Sequence, residues 1–109
     1  MSVDLVQGTL DMLILKALSW GSMHGYGVAR WLKQRTGEAL RIEEGSLYPA
    51  LQRLRQRGWI TAEWGVSENN RRARYYTLTP LGRKQLQAEV VAWTRFIDVV
   101  GKVLRAQPA

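Results

Sequence analysis

From Thr9 onward, apolar residues recur at three- and four-residue steps: Leu10, Leu13, Ile14, Ala17 and Leu18. That spacing gathers them on one face of a helix, with Thr9 as the expected N-cap. Residues 21–25 (Gly-Ser-Met-His-Gly) break the pattern. A second helix is expected from about Gly25 to Arg35, burying Val28, Trp31 and Leu32 and ending at Gly37. A short extended piece, Leu40-Arg41-Ile42, leads through Glu43, Glu44, Gly45 and Ser46 to a third helix. Its inner face is Leu47, Ala50, Leu51 and Leu54, and Gly58 stops it. Pro49 is compatible with its first turn, where the missing N–H has no helical partner in any case.

The period then changes to two. Ile60, Ala62 and Trp64 alternate onto one face, as do Tyr76 and Leu78. Between the two runs lies a polar, turn-forming stretch, residues 65–73. This predicts a β-hairpin with a long basic tip. Thr79-Pro80 opens a fourth helix reaching about Leu104. Along it Leu86, Val90, Trp93, Ile97, Val100 and Leu104 are spaced by four and three residues in turn, a heptad seam. Phe96, Val99 and Val103 widen that seam beyond what one small domain can cover. The fold expected is therefore mainly α with a small β-hairpin. It is a winged helix-turn-helix unit over residues 1–79, followed by a long C-terminal helix over 80–109 that joins two copies.

With 109 residues, 46% of them hydrophobic, the chain suits one compact unit with a core. It has no cysteine and a single histidine, His24, which argues against disulfides, thiolate metal sites and an all-protein zinc site. No cofactor is expected. Apolar runs are shorter than the roughly 20 residues of a membrane span, and the N-terminus lacks a basic signal-peptide start. The expected location is the cytoplasm. The net charge is +7, and residues 21–84, with twelve Lys/Arg against five Asp/Glu, hold the whole excess. A basic surplus confined to one segment suits a polyanionic partner.

The third helix of a winged helix-turn-helix enters the major groove, and the hairpin lies along the backbone or minor groove. Tyr48, Gln52 and Arg55 align on the outer face of that helix, with Ser46, Pro49, Arg53 and Gln56 beside them. Glutamine can read adenine and arginine guanine, while hydroxyls reach phosphates or base edges. An ordinary solvated face has the same composition, so the hairpin matters. Asn69, Asn70, Arg71, Arg72 and Arg74 put three guanidiniums within four residues, with Glu68 the one carboxylate nearby. Phosphate oxygens are the natural counter-charge. The glycines around Tyr26 lack the Gly-Lys-Ser/Thr ending of a nucleotide loop, so they fit close packing, with Tyr26 offering one backbone contact. His24 reads as a structural cap. A small nuclease would need converging carboxylates, and Glu43-Glu44 is the only adjacent pair. A chromatin or RNA-binding protein without sequence preference remains a second alternative.

Four runs of the chain resemble the PadR-type transcriptional regulators: GTLDMLILKAL the first helix, HGYGVARWL the second, EEGSLYPALQRLRQRGWI the recognition helix and next strand, and EWGVSENNRRARYYTLTPLGRKQL the wing and the start of the last helix. Together they cover about residues 8–86 in the right order. Glu43 departs from the Ser or Thr cap frequent in that family. The resemblance implies a homodimeric repressor of a palindromic operator, released by a small aromatic or hydrophobic effector, and not an enzyme. It is similar to the short members with one C-terminal helix. In some of those, interface aromatics line a pocket, which would place Trp93, Phe96 and Ile97 at such a site. A tryptophan that merely packs the seam would satisfy the same pattern.

Overall fold

The computed structural model describes residues 8–108; the residues on which the signal-peptide reading rests lie outside that range. In chain order the elements are α1 (Thr9–Leu18), β1 (Met23–His24), α2 (Gly25–Arg35), α3 (Glu44–Gln56), β2 (Ile60–Val66), β3 (Arg72–Leu78) and α4 (Pro80–Arg105). The three strands form one antiparallel sheet in the order β1-β3-β2. This is the expected mainly α, winged helix-turn-helix architecture with a long last helix.

The core forms where α1, α2 and α3 turn their apolar faces together and the base of the sheet closes the end. Ile14, Leu15, Leu18, Val28, Leu47, Leu51, Leu54 and Ile60 are all but inaccessible to solvent. Each such side chain contributes about 1.5–3 kcal/mol relative to exposure. Leu40 is buried too, although residues 39–43 form an irregular connection rather than an extended strand. Trp31 is only half-buried: its ring lies 6.4 Å from Trp20, and the Arg35 guanidinium covers both.

Several boundaries differ from expectation for local reasons. Gly8, not Thr9, caps α1, using a left-handed φ of 88° and no side-chain hydrogen bond. The break at 21–25 contains β1, whose Met23 and His24 pair with Tyr76 and Tyr75. His24 then caps α2, its Nδ1 accepting from the Gly27 N–H at 2.9 Å. Helix α3 starts at Glu44, and Glu43 stands at its N-cap without a side-chain bond. Pro49 therefore falls in the second turn rather than the first. The Gly45 carbonyl, four residues back, loses a helical donor there, and it lies at an exposed helix start.

The hairpin strands are longer and the tip shorter than the sequence suggested. Pairing runs unbroken from Ile60↔Leu78 to Val66↔Arg72. Residues 67–71 make the turn, with Asn70 N–H donating to the Ser67 carbonyl at 2.9 Å and Ser67 N–H to the Arg71 carbonyl at 2.8 Å. Asn70 takes a left-handed φ of 57°, which asparagine tolerates. Arg72 and Arg74 are thus strand residues, and only Arg71 belongs to the turn.

Helix α4 has two unlike halves. Thr79 caps it by accepting from the Gly82 N–H at 3.0 Å, and its hydroxyl donates to the Gly58 carbonyl at 2.7 Å. Gly82 and Leu86 are buried against the winged unit. Leu86, expected on the intermolecular seam, is therefore a core residue of its own chain. Beyond it the helix is largely bare: Val90, Trp93, Phe96, Ile97, Val99, Val103 and Leu104 are all exposed, from 36% at Trp93 to 78% at Leu104. At 1.5 Å per residue the 26 residues of α4 span about 39 Å.

Candidate nucleic-acid interface

Strand alternation sends Ile60, Ala62, Tyr76 and Leu78 toward the core, and the same sheet face continues outward through Trp64, Arg74, Val66 and Arg72. The outer part of that face meets α3 across a cleft of about 700 Å³, into which Tyr26, Tyr48, Gln52, Trp64, Arg72 and Arg74 all project. Residues from α2, α3 and the wing, separate in sequence, thus share one concave surface.

Its charges are oriented before any partner arrives. The Arg72 and Arg74 guanidiniums lie 4.4 and 5.5 Å from the centre of the Trp64 ring, an arrangement that fixes direction while leaving N–H groups free. Arg74 Nε is enclosed with no hydrogen-bond partner, an unmet donor of the kind an anionic oxygen satisfies. Tyr48 rests on Gly25, where a Cβ would come within 3.1 Å of its ring and hydroxyl. Burial first, then the Glu44 carboxylate and Tyr76, push the Tyr48 hydroxyl above its ordinary value, so it keeps its proton at neutral pH.

The wing is tied to α2. Glu68 faces His24 Nε2 at 3.8 Å and Arg30 at 3.7 Å. A hydrogen bond from its own backbone N–H, then His24 and Arg30, hold its carboxyl below the usual range. The Tyr75 ring meets His24 edge-on at 5.4 Å, and its hydroxyl donates to the Val66 carbonyl.

The remaining sequence candidates are distributed less uniformly. Ser46 and Arg55 are exposed on α3 outside the cleft lining, with Arg55 3.5 Å from Gln52 Oε1. Asn70 sits at the turn, while Asn69 and Arg71 line the cleft. Arg53, expected beside Gln52 in the groove, is outside the cleft lining and turns toward α1. Its Nη2 donates to Asp11 Oδ1 at 2.7 Å. Sequence reasoning missed both Asp11 and Trp64 as members of this region. An acidic residue amid the apolar face of α1 was the available signal for the first, and for the second one arginine directly across the hairpin with another two positions away on the same strand.

A second concavity, of about 420 Å³, runs between the start of α1 and the middle of α4. Gly8, Thr9, Met12, Glu89, Ala92, Trp93 and Phe96 line it. Trp93 and Phe96 lie 6.0 Å apart, whereas Ile97 is not part of the lining. Among the described residues, no three His, Asp or Glu side chains converge as metal ligands. No helix there is long and apolar enough to cross a membrane.

Three packed helices, an antiparallel wing and a protruding last helix define the class: a winged helix-turn-helix transcriptional regulator. The chain belongs to the transcriptional regulator PadR-like family, which it matches over residues 14–88. It is similar to the negative transcriptional regulator PadR of Bacillus subtilis (strain 168), 29% identical over 77 residues that cover 71% of this chain and 42% of that one. Among solved structures, a transcriptional regulator from Clostridium thermocellum is 32% identical with a TM-score of 0.82, covering 92% of this chain and 97% of the other. A PadR family transcription regulator from hypervirulent Clostridium difficile R20291 is 27% identical with a TM-score of 0.78, covering 89% and 99%. The family and these neighbours are regulators, not enzymes.

Proposed function

We propose that the chain is a dimeric repressor that binds a palindromic operator in the cytoplasm and leaves it when a small hydrophobic or aromatic effector binds. The carrying observation is the cleft between α3 and the wing, where Gln52 and Tyr48 stand opposite arginines stacked on Trp64. Residues 1–79 supply the DNA contacts: Tyr48, Gln52, Arg55 and Ser46 toward base edges, and Tyr26, Asn70, Arg71, Arg72 and Arg74 toward the backbone. Residues 80–109 join the two copies through Val90, Trp93, Ile97, Val100 and Leu104. Selection of bound sequences from random duplex DNA tests the whole reading. It should return an inverted repeat whose half-site centres lie one helical turn, roughly 34 Å, or a multiple of it, apart. Recovery of no common sequence would overturn sequence-specific recognition.

Positioning and reading should separate on mutation. Arg71→Ala and Arg72→Ala are expected to weaken binding about equally on all sequences and to flatten the salt dependence by about one unit for each phosphate that goes unneutralised. Gln52→Ala should instead cost about 1–3 kcal/mol on the selected operator and little on random DNA. Binding isotherms on both duplexes over a salt series check this. Altered base preference from the wing variants, with none from Gln52→Ala, would reverse the assignment.

The effector would occupy the groove under Trp93. Its lining joins α4 to the first turn of α1, so a bound molecule could alter the angle of α4 on the winged unit. Such a ligand shifts DNA binding only by its differential affinity for the two arrangements. Flat aromatic dyes are expected to quench wild-type fluorescence and lower operator affinity, and to do neither with Trp93→Ala. Trp20, Trp31, Trp59 and Trp64 also emit, which makes the variant the necessary control. Equal dye binding by both proteins would remove Trp93 from the site.

A further inference from the structure

Among the described residues, Asp11 is the one charged side chain buried with the core, at 8% exposure. It projects from the first turn of α1, which otherwise faces its neighbours with apolar groups. Two arginines from the far end of α3 converge on it. Arg53 Nη2 lies 2.7 Å from Oδ1, and Arg57 Nη1 lies 3.9 Å from Oδ2. These two residues are one helical turn apart, whereas Arg55, between them in sequence, points elsewhere and meets Gln52. One carboxylate therefore engages two of the three arginines at this end of α3.

A buried carboxylate is expensive to hold unless cations and hydrogen bonds satisfy it. The short contact to Arg53 supplies both. Arg53 is nevertheless about half exposed, 48% by side chain, and follows Gln52 directly in sequence. Released from Asp11, its guanidinium would be a mobile cation on the helix that carries the base-reading candidates. Every free cation beside DNA adds attraction to phosphate that is blind to sequence.

We infer that Asp11 is a positioning residue for sequence reading. It acts through Arg53, fixing the rotation of α3 on α1 and withholding an arginine from indiscriminate phosphate contact. This rests on the DNA-binding reading above. The role is opposite in sign to that of the wing arginines: removing the acid should strengthen binding to the wrong DNA.

The test is a salt series with Asp11→Asn, which preserves volume and removes charge, on the duplex selected by the wild type and on a random duplex. Binding to random DNA is expected to tighten roughly five- to tenfold at 0.1 M salt, with a slope steeper by about one unit, the effect of one added phosphate contact. The ratio of operator to random affinity should fall at least about tenfold. Adding Arg53→Met to Asp11→Asn should return the slope to the wild-type value. A merely structural pair would lower melting temperature and weaken both duplexes together without steepening the slope, and that outcome overturns the inference. Where Asp11→Asn does not fold, single variants of the arginines decide. Arg72→Met, at a backbone contact, should flatten the wild-type slope by about one unit and Arg53→Met should leave it unchanged. Equal flattening by both would place Arg53 on phosphate and overturn the inference. A wild type without salt-dependent duplex binding would instead overturn the DNA-binding reading, and this inference with it.

Discussion

Glutamate at both Val90 and Ile97 is expected to leave the chain monomeric and to lower operator affinity by about 10²–10⁴-fold, the advantage that joining two binding modules ordinarily confers. The two residues are seven apart, hence on one side of α4, and flank Trp93. At 41% and 52% exposure they support little within their own chain, so the winged unit should stay folded. Across a two-fold axis the new carboxylates of one copy would face those of the other, so repulsion would replace apolar burial. Sedimentation at tens of micromolar and an operator titration read the two effects. Random-duplex affinity should change far less. A double variant that remains dimeric would move the interface off this face.

The second large effect is on stability. In Gly82→Ala the added methyl would clash with the Trp59 carbonyl oxygen and press on Leu78 within 2.9 Å. Backbone cannot step aside as a flexible side-chain tip can. The first turn of α4 and residue 59 are further locked by the Thr79 N–H donating to that same carbonyl at 3.0 Å. A loss of about 3 kcal/mol is expected, the upper part of the overpacking range. That corresponds to roughly 15 °C in melting temperature for a chain of this size. Gly45→Ala is the control: nothing lies within 4 Å of its Cβ position, so a helical alanine there should gain about 0.5–1 kcal/mol. Thermal denaturation followed by circular dichroism compares them. Equal melting of Gly82→Ala and wild type would mean that α4 can move off the sheet at little cost.

The features legible in the sequence were those with a period. The four helices announce themselves through three- and four-residue recurrence, the wing through alternation, and the cap at Thr79-Pro80 through its chemistry. His24 as a cap was legible for the same local reason. β1 was not, because two residues have no period and their partners Tyr75 and Tyr76 lie some fifty positions away. The wing tip looked longer than it is since Gly65 and Arg72 resemble turn residues in composition. They nevertheless pair, with Tyr75 folded over Gly65, where a Cβ would come within 2.9 Å of its ring. Arg53 could not be assigned from its helix alone. On α3 it neighbours Gln52, and only the arrival of Asp11 from α1 reveals that its guanidinium is turned to that carboxylate. The groove near Trp93 was half visible for a like reason: Trp93 and Phe96 stand on the seam, but Gly8, Thr9 and Met12 reach it only through tertiary packing.

The division of α4 into an anchored half and a bare half has a bearing on how such a regulator would respond to its own abundance. Among the described residues the bare half finds no cover, and in the proposed dimer its burial comes from a second molecule, a step that obeys mass action. At concentrations where single chains predominate, the amount of dimer grows as the square of total protein. Occupancy of a two-half-site operator would follow the dimer, so doubling expression would nearly quadruple weak occupancy. Synthesis rate, dilution by growth and proteolysis would thereby become control inputs alongside any small molecule, with a response steeper than a monomeric reader of the same half-site could produce.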